Sequence, residues 1–227
     1  MFGARLADAF GWGPGLVLAV VLSAALAAQT FWWPDYGLAG ALSAQALAQG
    51  RWYALFTHMF LHAGILHLGM NLLAYSSLQA PVVMALGRSL RAQLSFAGLY
   101  LVAGLAGGLT YLALHPTGTA PMLGASGAIC GLWGAASRVA TREGDLTPLN
   151  DPQVFENIKR FALMNLILVG IIALPQLLSG QPVSGGIAWE GHVGGFIAGL
   201  LLAPVFQRWA GWRPPAPLQG PWVPLVR

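Results

Sequence analysis

The chain has 227 residues, 56% of them in the apolar set AVILMFWYC and 8% Asp, Glu, Lys or Arg, where a soluble domain carries about 25% charged residues. With a mean hydropathy of +0.65, this excludes an ordinary water-soluble globule and points to an all-α polytopic membrane protein. The formal charge of +4 comes from basic residues spread singly, which argues against nucleic acid as a partner, and the one cysteine, Cys130, excludes an internal disulfide or a cysteine-based zinc cluster.

In chain order, apolar runs bounded by charge or by Pro and Gly cover Gly15–Trp33, Gly64–Gln79, Leu94–Leu114, Leu123–Val139, Phe161–Ser179 and Ile187–Phe206. At about 20 residues per span, they predict a six-transmembrane-helix bundle over residues 15–206, between a short segment at 1–14 and a Pro-rich tail at 207–227. The first run also has the outline of a cleavable signal peptide, with Arg5 ahead of it and the small-residue series Ala25-Leu26-Ala27. Its continuation into Phe31-Trp32-Trp33 favours a spanning helix anchored by interfacial aromatics.

Arg5, Arg88, Arg91, Arg138, Arg142, Lys159, Arg160, Arg208, Arg213 and Arg227 fall on one side of such a bundle, and Arg51 on the other. The positive-inside bias then places both termini in the cytoplasm, a topology that fits a bacterial plasma membrane. Between the first two spans, Pro34 to Phe56 is too apolar for a solvated loop and is predicted to lie in the outer interface. The segment His115–Leu123, with Pro116, Gly118 and Pro121, breaks the helix and leads straight into the fourth span. Counting back from Arg138, Ser126 stands twelve residues up that span, about 18 Å at 1.5 Å per residue, so this helix is expected to start inside the membrane.

Strongly polar groups within a bilayer are costly and are candidates for function or interior pairing. On the second span the run HMFLHAGILHLGMN is expected to carry His58, His62, His67 and Asn71, with His67 and Asn71 on one helix face. The fourth carries Ser126 in GASGAICG and the sixth His192 in EGHVGGFIAG. Gly127 and Gly131 on the fourth span, and Gly191, Gly195 and Gly199 on the sixth, allow close backbone approach, which would bring His192 within reach of Ser126. A histidine there can act as general base toward the hydroxyl. The Ser126 N–H at a helix start, with His67 and the Asn71 amide, can surround an oxyanion. Glu190 is two residues from His192 and faces elsewhere, so the chemistry reads as a Ser–His dyad.

Together these residues resemble the rhomboid family of intramembrane serine proteases. Gly124-Ala125-Ser126-Gly127 is similar to the family's nucleophile motif, His192 with Gly195 and Gly199 to its base-bearing helix, and His62, His67 and Asn71 to its second-span pattern. The resemblance implies hydrolysis of peptide bonds in or beside the membrane segments of other proteins, without cofactor or metal. It implies Ser126 as nucleophile, His192 as base, and His67, Asn71, Gly124 and the Ser126 N–H as oxyanion site. His62, Gly127, Gly195, Gly199 and Cys130 would support the site, and the fifth span with the loop around Gly180–Gly186 would act as gate and cap.

Three positions depart from the family pattern. Cys130 stands where many members have an aromatic ring against the base, Met84 where a glutamate is frequent, and Trp52-Tyr53 where a Trp-Arg pair is familiar. Two other functions compete. A client-binding rhomboid-like protein would normally lack the serine or histidine, and both are present. A transporter or metal site on His58, His62 and His67 lacks a buried acid, and His58–His62 has the spacing of HExxH without its glutamate. Transmembrane proteins are thus the expected partners, and targets must unwind locally because a helix hides its carbonyls.

Overall fold

The computed structural model describes residues 14–33, 35–140, 144–179 and 187–212. Among them the chain is helical, with no strand and two isolated bridges, Leu42 with Met122 and Val139 with Leu146. The helices are α1 (Pro14–Phe31), α2 (Ala44–Ala48), α3 (Ala54–Thr57), α4 (Ile65–Leu86), α5 (Leu90–Leu114), α6 (Ser126–Ala136), α7 (Pro152–Leu178) and α8 (Trp189–Ala210), with short 3-10 turns at Leu38–Gly40 and His58–Phe60. Helices α5, α7 and α8 are long and apolar enough to cross a membrane, and α1 and α6 contribute shorter apolar stretches.

Local chemistry sets the helix ends, and they differ from the apolar runs. Helix α7 begins nine residues before Phe161, because Asp151 caps it by accepting from the Gln153 N–H and Pro152 occupies the first turn. Hydropathy marks the part of a helix that suits lipid, whereas caps mark where the helix starts. Ser89 likewise starts α5 by accepting from the Ala92 N–H, and α4 continues past Gln79 through Pro81 to Leu86. His58 and His62 do not lie on α4. Gly64, at φ 147°, turns the chain immediately before Ile65, leaving His58 on a 3-10 turn and His62 in the segment before the helix. Both are buried within the protein.

Helix α6 lies at the centre, flanked by α5 and α8. Of its 11 residues, Gly127, Ala128, Ile129, Gly131, Leu132, Gly134 and Ala135 are buried. A Cβ at Gly195 would fall on the Gly127 carbonyl oxygen, and one at Gly199 on that of Gly131, so α6 and α8 meet backbone to backbone as small-residue stripes permit. Tyr75, Phe96, Leu99, Tyr100 and Leu132 fill the core between α4, α5 and α6. At the basic end, Gln207 Nε2 donates to the carbonyls of Ala85 and Gly144, and Arg138 donates to the Thr147 and Leu200 carbonyls.

Helix α7 exposes an apolar face of Leu163, Met164, Leu166, Ile167, Ile171, Leu174 and Leu177. It is held through Phe161, which stacks on Phe196 of α8 at 4.0 Å and meets Trp133 of α6 edge-on at 5.5 Å. Aromatic pairs of this kind contribute about 0.5–1.5 kcal/mol beyond their buried area. Cys130 packs against this cluster.

Candidate active site

Ser126 is the first residue of α6, and the chain reaches it through an extended segment rather than from a preceding turn of helix. That segment is fixed by paired backbone bonds between Leu42 and Met122, both 2.8 Å, and by the Gly124 N–H on the His58 carbonyl at 2.9 Å. Gly124 has φ +129°, a conformation costly for residues with a side chain. A Cβ there would stand 2.8–2.9 Å from the ring of His67. Glycine at this position therefore lets the backbone beside the serine lie against the imidazole.

On the other side, the glycine-lined contact of α6 with α8 brings His192 to the serine. His192 Nε2 lies 2.8 Å from Ser126 Oγ; the histidine is buried and the serine half-buried. A hydroxyl in this contact can pass its proton to the ring nitrogen as it attacks.

The other ring nitrogen has a partner that the sequence reading missed. His192 Nδ1 lies 2.7 Å from Asn165 Oδ1, and Asn165 Nδ2 donates to the Phe161 carbonyl at 2.9 Å. Asn165 interrupts the apolar run from Phe161 to Ser179, so the rule that singled out Ser126 and His192 applies to it equally. Its partner is 27 residues away on another helix, and no local spacing pairs the two.

His67 projects from the first turn of α4. Its Nδ1 accepts the Ala63 N–H at 3.3 Å, so the neutral ring carries its proton on Nε2, the atom beside Gly124. Asn71, four residues further along α4, is buried, and its Nδ2 donates to the His67 carbonyl at 3.2 Å, a bond within its own helix. His62 packs edge-on to His67 with ring centroids 5.2 Å apart. Its backbone is clamped by Gln29, which accepts the His62 N–H and donates to the His62 carbonyl. The structure thus gathers Ser126, His192, Gly124, His67 and Asn165 at one place, with His62 against the His67 ring, Asn71 bonded to the His67 carbonyl and Cys130 in the aromatic cluster around Phe161.

Glu190, in the first turn of α8, pairs with His115 at 3.0 Å. Among the described residues no group of three His, Cys, Asp or Glu side chains could hold a metal. Gly180–Gly186 lies outside the described residues.

The model of the Rhomboid domain family matches residues 49–209. The chain is 33% identical over 154 residues to RHOMBOID-like protein 5 of Arabidopsis thaliana, covering 66% of this chain and 42% of that protein. It is 35% identical over 151 residues to Rhomboid protease GluP of Bacillus subtilis strain 168, covering 66% of this chain and 25% of that protein. The matched region spans less than half the length of either relative.

Proposed function

This chain belongs to the rhomboid family, and from that membership we propose that it is an intramembrane serine endopeptidase cleaving in or beside the transmembrane segments of other proteins. The observation that carries the reading is the 2.8 Å contact of His192 Nε2 with Ser126 Oγ. Ser126 Oγ attacks the scissile carbonyl while His192 Nε2 takes its proton. The oxyanion forms beside Gly124, where the His67 Nε2–H and the Ser126 N–H donate to it. Asn71 holds the His67 backbone and so supports that donor. His192 then returns the proton to the leaving amine, and water hydrolyses the acyl-enzyme by the same steps in reverse order.

The architecture proposed for this activity is a six-helix bundle over residues 15–206 with both termini cytoplasmic, in a bacterial plasma membrane. Helix α6, with 11 residues, is about 17 Å long against a hydrocarbon core of about 30 Å. Its serine end therefore lies within the bilayer, where a broken backbone is tolerated beside water or protein. Helix α7, exposed along its apolar face and held through Phe161, serves as the gate.

The test uses purified wild type and Ser126→Ala with a single-span substrate carrying a helix-breaking segment, with and without EDTA. Cleavage by wild type and a loss of about 10⁴-fold or more in the variant are expected, together with fluorophosphonate labelling of wild type alone. Cleavage by both proteins overturns the reading, and chelator-sensitive cleavage moves it to a metal.

A further inference from the structure

We propose that Asn165 is a positioning residue that sets the tautomer and direction of His192, making the site a Ser126–His192–Asn165 triad assembled from α6, α8 and α7. This rests on the serine-protease reading above and adds a third residue to it.

The argument starts from the amide's two ends. An amide oxygen accepts and its nitrogen donates, and a carbonyl oxygen can only accept. Asn165 Nδ2 is committed to the Phe161 carbonyl at 2.9 Å, so the end facing His192 is fixed as Oδ1 by a neighbour that cannot donate. An acceptor 2.7 Å from Nδ1 requires the proton of a neutral imidazole on Nδ1. Nε2 is thereby left with a free lone pair toward the Ser126 hydroxyl, 2.8 Å away. The opposite tautomer would set two lone pairs against each other at Nδ1 and leave Nε2 unable to accept. A base held by a third group in this way is the general logic of triads, including those in which the third group is an asparagine.

Register gives the second support. Phe161 and Asn165 are four apart on α7, and Phe196 and His192 are four apart on α8. Phe161 stacks on Phe196 and Asn165 bonds His192, so two rungs one turn apart tie the antiparallel helices. A general helix-to-helix adhesive needs one polar contact. Here Nδ2 is tied within its own helix to the Phe161 carbonyl, and Oδ1 meets the ring atom whose protonation decides whether the base can work. Because α7 is otherwise largely exposed, its seating on α8 also decides whether His192 is aimed.

The experiment compares full-length wild type, Ser126→Ala, Asn165→Leu and Asn165→Asp, purified in detergent, for single-span substrate cleavage with kcat and KM separated, and for fluorophosphonate labelling. Asn165→Leu is expected to lower kcat about 10- to 100-fold with KM within twofold and labelling slowed in parallel. Asn165→Asp keeps an oxygen toward His192 and is expected to recover at least tenfold over the leucine variant. Melting curves establish that the variants are folded. If the leucine variant does not fold, Asn165→Ala removes the same acceptor without added bulk and carries the same expectation. Wild-type kcat in a folded variant lacking the oxygen overturns the proposal, as does equal loss in the leucine and aspartate variants. Either result, with Ser126→Ala inactive, leaves the serine reading standing. An active Ser126→Ala, or a wild type that neither cleaves nor labels, removes the serine reading and this inference with it.

Discussion

Phe161 and Phe196 stack with centroids 4.0 Å apart and planes at 17°, one helical turn below Asn165 on α7 and His192 on α8. The stack fixes how far α7 slides along α8, and a slide of one residue, about 1.5 Å, would break the 2.7 Å contact of Asn165 with His192. Phe161→Ala is therefore expected to lower kcat about tenfold while leaving KM close to wild type, through loss of orientation of the base. Steady-state kinetics on the single-span substrate check this. A raised KM with unchanged kcat would place the role of Phe161 in substrate entry instead.

His67 is expected to act through its Nε2–H, the atom beside Gly124. His67→Phe keeps an aromatic ring in the same space and removes the donor. Turnover should fall about 10²- to 10³-fold with the melting temperature little changed. Kinetics paired with a thermal melt separate this from a packing defect, in which activity and stability fall together.

The α6–α8 contact leaves no room for a methyl group. Gly199→Ala would drive a Cβ onto the Gly131 carbonyl oxygen and is expected to destabilise the fold by at least about 2 kcal/mol. Gly69→Ala, on α4, meets nothing within 4 Å and should be neutral or slightly stabilising. Resistance to denaturation in mixed detergent micelles, measured side by side, tests the contrast.

Gln29 is buried and joins α1 to the segment ahead of α4. Its amide nitrogen donates to the Tyr36 and His62 carbonyls, both at 3.0 Å, and its oxygen accepts the His62 N–H at 2.9 Å. Gln29→Leu keeps most of the volume and leaves those backbone groups unsatisfied. A loss of at least about 2 kcal/mol in stability is expected, with faster hydrogen exchange at the His62 amide as the local signature.

The helical, membrane-type fold was legible from composition and from apolar runs, because burying backbone in lipid leaves few alternatives to a helix. The candidate residues Ser126, His192, His67 and Asn71 were legible for a related reason: polar groups stand out where the solvent is hydrocarbon, and glycine spacing signals which helices can touch. Helix ends were less legible. Caps such as Asp151 and Ser89 lie outside the apolar runs, and the turn at Gly64 takes His58 and His62 off the helix that their spacing suggested. Asn165 was visible as a polar interruption, but its meaning was not. Which atom of His192 it meets depends on the register of two helices, and that register is set by Phe161 stacking on Phe196, a contact between side chains 35 positions apart. Sequence alone determined which side chains are costly to place in this membrane-type fold. Tertiary packing decided which of them face one another, because hydrogen bonds of 2.7–2.9 Å depend on sub-turn helix positions that no single helix encodes.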